Sequence, residues 1–227
     1  MFFDPLYLIL TVPALLFSLY AQWKVKSTFH KYSQVGVRSG MTGADAARAI
    51  IRESGLQVAV ERHKGFLSDH YDPRAKVLRL SPDVHDGRSI SSVAVAAHEA
   101  GHSLQDAHGY TPLVLRSKLV PLTQIGSQLW FLPFVIGLAM HMSGLVWLGA
   151  ILFGAVVVFQ LVTLPTEYNA SNRAKAVLAS SGIVSTQEEA VGVEKVLDAA
   201  ALTYVAALVA SVMQLLYIIM RARSSDR

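Results

Sequence analysis

The stretch LVPLTQIGSQLWFLPFVIGLAMHMSGLVWLGAILFGAVVVFQLVTLPT, residues 119–166, runs for 48 consecutive positions without Asp, Glu, Lys or Arg. A membrane-spanning helix needs about 20 apolar residues, so this run is long enough to cross a bilayer twice. Its natural break lies at His141 to Gly144, which gives spans near Pro121–Met140 and Leu145–Leu164. Thr123, Gln124, Ser127 and Gln128 make the first of these the more polar. The pattern recurs on either side: Pro5 to Trp23 and Ala199 to Met220 also hold none of the four charged residues. Four transmembrane helices are expected. Helices of soluble domains usually run 8–20 residues and carry a polar face, which these segments lack.

Composition agrees. Only 16% of the 227 residues are charged, against about a quarter in an ordinary soluble domain. The absence of cysteine excludes disulfides, thiolate chemistry and Cys-ligated zinc. The first span has only Asp4 before it, no positive leading segment and no A-x-A cleavage pattern, so it reads as an uncleaved anchor.

The polar remainder divides into residues 24–118, with fourteen Lys and Arg against nine Asp and Glu, and residues 165–198, with three against five. The expected plan is a transmembrane helix at 1–23, a catalytic segment at 24–118, and a hairpin of two spans at 119–164. A helical segment at 165–198, a last span at 199–220 and a basic tail at 221–227 complete it. An even number of spans places both polar segments on one side. Lys24, Lys26, Lys31, Arg116, Lys118, Arg173 and Lys175 flank span ends there, whereas the hairpin loop has no Lys or Arg. The positive-inside rule makes that side cytoplasmic; Arg221, Arg223 and Arg227 argue the other way. The net charge of +4 thus reports topology, with no nucleic-acid partner implied.

Within 24–118, MTGADAARAIIRESGL reads as an amphipathic helix with Thr42 as N-cap, Asp45 three residues on and Gly55 as its stop. VAVER and KVLRLS read as strands joined into a hairpin through YDPRA, where Pro73 suits a type I turn; KVLRLS offers a candidate edge for an extended substrate backbone. SISSVAVAAHEAGHSLQDA reads as a helix from Ser89. Residues 165–180 are expected to continue helically from the third span, with Glu167 opening a helix just after Pro165, and Ser185 with Glu188 has the spacing of a capping box.

His98-Glu99-Ala100-Gly101-His102 carries the chemistry. At about 100° per residue, the two imidazoles lie about 40° apart on one helical face, one turn apart, and can share one Zn²⁺. Glu99 projects beside them as a general base. A catalytic zinc takes three protein ligands and keeps a position open, and three residues compete for the third place. His108 has metzincin spacing, but Gln105 stands where that pattern needs a chain-reversing glycine. Asp198, in VLDAA, resembles the ligand of intramembrane site-2 proteases, yet lacks their glycine. Glu167, in LPTEYNASNRAKAVL, shares a face with Ala170, Ser171 and Ala174, small enough for close approach to the zinc helix, and it resembles the later-helix Glu of gluzincins. Glu167 is the favoured ligand, against the plainer role of a helix-capping carboxylate. Asp106 is a candidate to steady a ligand imidazole, against an ordinary helix-end acid. Tyr168, Asn172 and Arg173 are near in sequence without a warrant as oxyanion stabilisers. His30, His63, His70, His85 and His141 have no ligand spacing.

Three blocks together resemble one family: MTGADAARAIIRESGL, DHYDPRAKVLRLSPDVHDGRSISSVAVAAHEAGHSLQDAHGY and LPTEYNASNRAKAVL. With the four spans they are similar to the YugP-type membrane-bound neutral zinc metallopeptidases, related in plan to HtpX-like gluzincins. Membrane gluzincins often carry Asp four residues after the ligand Glu; Ser171 stands there in this chain, as in a YugP-like protein.

The expected fold class is therefore a mainly α membrane protein with four transmembrane helices and a small α+β zincin-like catalytic domain. The expected activity is zinc-dependent endopeptidase cleavage of protein or peptide substrates, including membrane proteins under quality control. It uses one catalytic Zn²⁺ on His98, His102 and Glu167, with Glu99 as base. The expected location is a bacterial inner membrane with the catalytic side cytoplasmic. A non-catalytic zinc-containing assembly factor or scaffold is the alternative; its metal would have four protein ligands.

Overall fold

A computed structural model describes residues 4–65 and 68–225. Its elements, in chain order, are α1 (Pro5–Ser33), α2 (Gly43–Glu53), β1 (Ala59–Arg62), β2 (His70–Asp72), β3 (Val77–Leu80), α3 (Pro82–His85) and α4 (Ile90–Ala107), then α5 (Thr111–Leu129), α6 (Phe131–Ala139), α7 (Ser143–Ser180) and α8 (Gln187–Ser225). The chain is mostly helical with one small sheet, and four stretches are long and apolar enough to cross a membrane: Pro5–Ser33, Thr111–Ala139, Ser143–Ser180 and Gln187–Ser225. The second starts well ahead of the expected Pro121.

Contacts divide the chain into two compact units. The first comprises Met1–Ala21, Pro112–Pro165 and Thr203–Arg227. Its buried centre is Phe134, Val146, Ala150, Tyr217, Ile218 and Ala222, while Ile9, Leu15, Leu16, Leu132 and Ile151 lie more than half exposed. Large apolar side chains turned outward suit a hydrocarbon solvent. Helix contact inside the unit relies on small residues: a Cβ on Gly126 would come within 2.3 Å of the Leu152 carbonyl oxygen. The polar residues of the second span are partly accommodated within their own helix. Thr123 Oγ1 donates to Leu119 O at 2.9 Å and Ser127 Oγ to Gln124 O at 3.1 Å, so these hydroxyls need no water. The hairpin turns at His141, whose φ of 54° is left-handed. Arg227 of the basic tail lies outside the described residues.

The second unit comprises Gln22–Thr111 and Thr166–Leu202. α2 starts in a full capping box of Thr42 and Asp45. The sheet has order β1-β3-β2 and corrects the expected hairpin. VAVER (β1) pairs with KVLRLS (β3) in parallel, Ala59 opposite Val77; the antiparallel partner across the YDPRA turn is β2, Asp72 opposite Val77. Parallel strands need a long connection, and here that connection includes β2. KVLRLS is therefore the central strand, and both its edges are occupied by the sheet itself; it offers no free edge to a substrate.

Two helix starts also differ from expectation. Pro165 lies inside α7, so Glu167 is an interior residue of a long helix and caps nothing. The capping box of α8 is Thr186 with Glu189: Glu189 N donates to Thr186 Oγ1 at 3.2 Å and Thr186 N to Glu189 Oε2 at 3.1 Å. STQEE holds two overlapping box spacings, and the Glu that wins also accepts Arg38 N at 2.6 Å.

The core of this unit sets α4 among its neighbours. Val93, Ala96, Ala97 and Ala100 pack in one cluster with Ile50 of α2, Leu78 of β3, Leu178 of α7 and Leu197 of α8. Four alanines and a glycine between residues 94 and 101 let neighbouring backbones come close.

Candidate metal centre

The Ser89 side chain accepts Ser92 N at 3.1 Å to start α4. Gly109, at φ 59°, stops it, with Tyr110 N donating to Gln105 O at 2.9 Å. On the helix between, His98 and His102 lie one turn apart, ring centroids 4.8 Å from each other and nearly perpendicular.

The third side chain arrives because α4 has no side chain at Gly101. A Cβ there would sit 2.6 Å from the Ala170 carbonyl oxygen of α7, inside the range real Cβ atoms avoid. That contact seats Ala170, Ser171 and Ala174, all buried, against α4 and turns Glu167 inward at 1% exposure. Glu167 Oε2 lies 3.1 Å from His98 Nε2 and 3.4 Å from His102 Nε2. One donor atom from each of the three residues falls within 4.8 Å of the others.

The outer nitrogens are engaged. His98 Nδ1 lies 3.1 Å from Ser171 Oγ, and His102 Nδ1 lies 2.9 Å from Gln105 Oε1. Gln105 Nε2 donates to Thr166 O at 2.8 Å, which turns its oxygen toward His102. That oxygen can only accept, so neutral His102 carries its proton on Nδ1 and presents the Nε2 lone pair inward to a metal. Zinc bonds of about 2.0–2.2 Å in tetrahedral arrangement separate ligand atoms by about 3.3 Å. The two Nε2–Oε2 separations match that edge, so the donor set fits zinc.

Electrostatics agree. Burial pushes the Glu167 carboxyl up, but the His102 and His98 imidazoles against it more than reverse this and hold it well below the ordinary carboxylate range. Burial disfavours the charged form of His102; Glu167, the nearby Glu99 charge and Gln105 override it and raise the imidazole. The site thus concentrates negative potential where a cation would sit, and a metal would displace protons from it. Glu99 is 9% exposed, on the same helix between the two histidines.

The rivals for third ligand are elsewhere. His108 is the C-cap of α4, its Nδ1 2.6 Å from Leu104 O. Asp198 is exposed and pairs with Lys175 at 3.4 Å. Asp106 does not steady an imidazole: Tyr71 OH donates to it at 2.7 Å and Lys76 Nζ at 2.5 Å, which ties β2 and the turn before β3 to the end of α4. Of the oxyanion candidates, Tyr168 and Asn172 are exposed and Arg173 donates to Asn169 at 2.8 Å. The group that sequence reasoning missed is Gln105. It sits three residues after His102, on the same face and fully buried, and no spacing pattern in the sequence marks it.

Comparison with known proteins bears on this site. Residues 7–223 match the family model described as "Putative neutral zinc metallopeptidase". The curated "Putative membrane protease YugP" of Bacillus subtilis (strain 168) is 50% identical over 216 residues, which is 95% of this chain and 96% of that protein. No solved structure matches.

Proposed function

The chain belongs to the family described as "Putative neutral zinc metallopeptidase", and we propose that it is a membrane-anchored endopeptidase of gluzincin type that cleaves protein substrates at the membrane. One observation carries the reading: two imidazole Nε2 atoms of one helix converge on a buried carboxylate of another, with Glu99 between the two histidines.

His98, His102 and Glu167 hold one Zn²⁺ in this reading. When bound, zinc supplies Lewis acidity toward a carbonyl oxygen and toward water. Glu99 accepts the proton of the attacking water as its oxygen bonds to the scissile carbonyl carbon. It then passes that proton to the amide nitrogen as the C–N bond breaks, so one carboxylate serves as base and then acid. Three protein ligands leave the fourth position for substrate chemistry, which separates this site from a structural one.

The same reading places the catalytic unit in the cytoplasm, where Lys24, Lys26, Lys31, Arg116 and Lys118 flank the spans. The C-terminal counter-signal is weakened because Arg221 is paired with Asp4. Membrane-protein turnover is the role such a protease would fill.

Purified protein is expected to carry about one zinc per chain and to cleave casein slowly. Glu99→Gln should keep the metal and lose at least about 100-fold in rate, the lower range of general-base catalysis. Cleavage by that variant at the wild-type rate would sink the mechanism; zinc at full stoichiometry in Glu167→Ala would move the third ligand elsewhere.

A further inference from the structure

Gln105 is fully buried at 0% exposure beside the Ala and Leu packing of α4. A primary amide there is costly unless its hydrogen-bonding groups are matched. Its oxygen receives His102 Nδ1; its nitrogen donates twice, to Thr166 O at 2.8 Å and to Asn169 Oδ1 at 3.0 Å. Asn169 Oδ1 accepts a second bond, from Arg173 Nε at 2.8 Å. The Arg173 guanidinium in turn lies 6.0 Å from the Tyr110 ring centroid, and Tyr110 is the residue whose N–H closes α4 on the Gln105 carbonyl.

The direction of each bond is determined. Arg173 can only donate, so Asn169 must turn its oxygen to it. That oxygen can only accept from Gln105, so Gln105 must present its own oxygen to His102. His102 must then hold its proton on Nδ1 and point a bare Nε2 at the metal centre. An arginine two turns from Glu167 on α7 thus dictates the tautomer of a histidine on α4.

We propose that Arg173, Asn169 and Gln105 form a positioning relay that fixes the tautomer and ring orientation of His102 and thereby sets zinc affinity. This rests on the reading of His98, His102 and Glu167 as the zinc ligands. None of the three relay residues touches the metal or the substrate in this role. Outer partners of metal-bound histidines carry about 10–100-fold in metal affinity, and this relay is built from an amide chain anchored on a cation, where a carboxylate often serves.

The test uses the full-length protein in detergent. Zinc affinity is measured by competition with a chromophoric chelator, and ligand geometry by the visible spectrum of the cobalt-substituted protein. Gln105→Leu is expected to weaken zinc about 10–100-fold and to alter the cobalt spectrum. Asn169→Leu should shift both in the same direction, by a smaller factor. Asn169→Asp keeps an oxygen for both donors, since only Oδ1 serves in the relay, and should stay within about twofold of wild type with its cobalt spectrum unchanged. Where Gln105→Leu fails to fold, the Asn169 pair decides alone. Wild-type affinity in Asn169→Leu overturns the relay. So does an Asn169→Asp protein as weak as Asn169→Leu, which would assign the loss to packing. Absence of zinc binding by the wild type would instead overturn the ligand reading beneath it.

Discussion

The two compact units of this chain solve opposite solvent problems. In the unit of residues 22–111 and 166–202, buried polar groups are matched with partners. Ser81 with Asp69, Ser91 with Phe29 O, Ser103 with Ala100 O and Glu189 with three backbone N–H groups are examples. In the membrane unit many bulky apolar side chains, Ile9, Leu16, Leu132 and Ile151 among them, face outward, and the one buried side-chain oxygen without a hydrogen bond among the described residues is Thr163 Oγ1. Both units bring helices together through glycine. The contact at Gly126 serves packing alone, whereas the one at Gly101 brings Glu167 into the candidate metal cluster. The candidate metal cluster is therefore built where water exclusion and polar matching coincide.

Substituting glycines contrasts these roles most strongly. Gly101→Ala forces a methyl group against the backbone oxygen of Ala170, which cannot give way as a side chain would. The expected cost is on the order of 3 kcal/mol, with zinc stoichiometry falling toward zero while far-UV circular dichroism stays helical. Gly154→Ala, in the membrane unit, meets nothing within 4 Å and should be neutral in both measurements. Full zinc in Gly101→Ala would mean that α4 and α7 need not approach so closely.

Chelation should then separate the units energetically. A ligand present at 1,000 times its dissociation constant stabilises its host by about 4 kcal/mol. EDTA is expected to lower the midpoint of the transition monitored at the unit that holds the His98, His102 and Glu167 cluster and to leave the helicity of the spans intact. A single transition unaffected by EDTA would argue against a bound metal.

The smallest expected effect is a surface one. Asp72 is held down at about 2 by the Arg79 guanidinium and by the N–H groups of Ala75 and Arg74. Its folded value lies below its ordinary 3.8, so its contribution is complete above that pH and fades as pH falls toward 2. Asp72→Asn should melt slightly lower than wild type at pH 6, with the gap closing near pH 2.5. Because the pair is only partly buried, the gap should also shrink in high salt.

The legible parts of this protein were those written in spacing or in the lack of charge. Uncharged runs announced four crossings, and the four-residue interval of His98 and His102 announced a shared helical face. The alignment of Glu167 with Ala170, Ser171 and Ala174 marked a helix able to approach that face. What stayed hidden depends on through-space choices. Both Ser185 and Thr186 are followed three residues on by Glu, and only the tertiary bond from Arg38 to Glu189 selects between them. β1 and β3 flank a turn, as a hairpin would, yet β2 takes the antiparallel place beside β3. Residues 165–180 do continue helically from the third span, but no new helix opens at Pro165: α7 runs through it, as helices in membranes often do. Gln105 gave no pattern signal, since glutamine is an unremarkable helix former and its burial is not visible in one dimension.

His98 precedes Glu167 by 69 positions, and α5, α6 and the first part of α7 lie between α4 and Glu167. A chain leaving the ribosome therefore carries the two imidazoles and Glu99 long before the carboxylate that completes the set. Until the membrane hairpin has been synthesised, the nascent polypeptide has two donors of three. The connectivity thus imposes an order on biosynthesis: a product truncated before Glu167 cannot assemble the His/His/Glu cluster, whose last donor is made after the first two apolar stretches and within the third, ahead of α8.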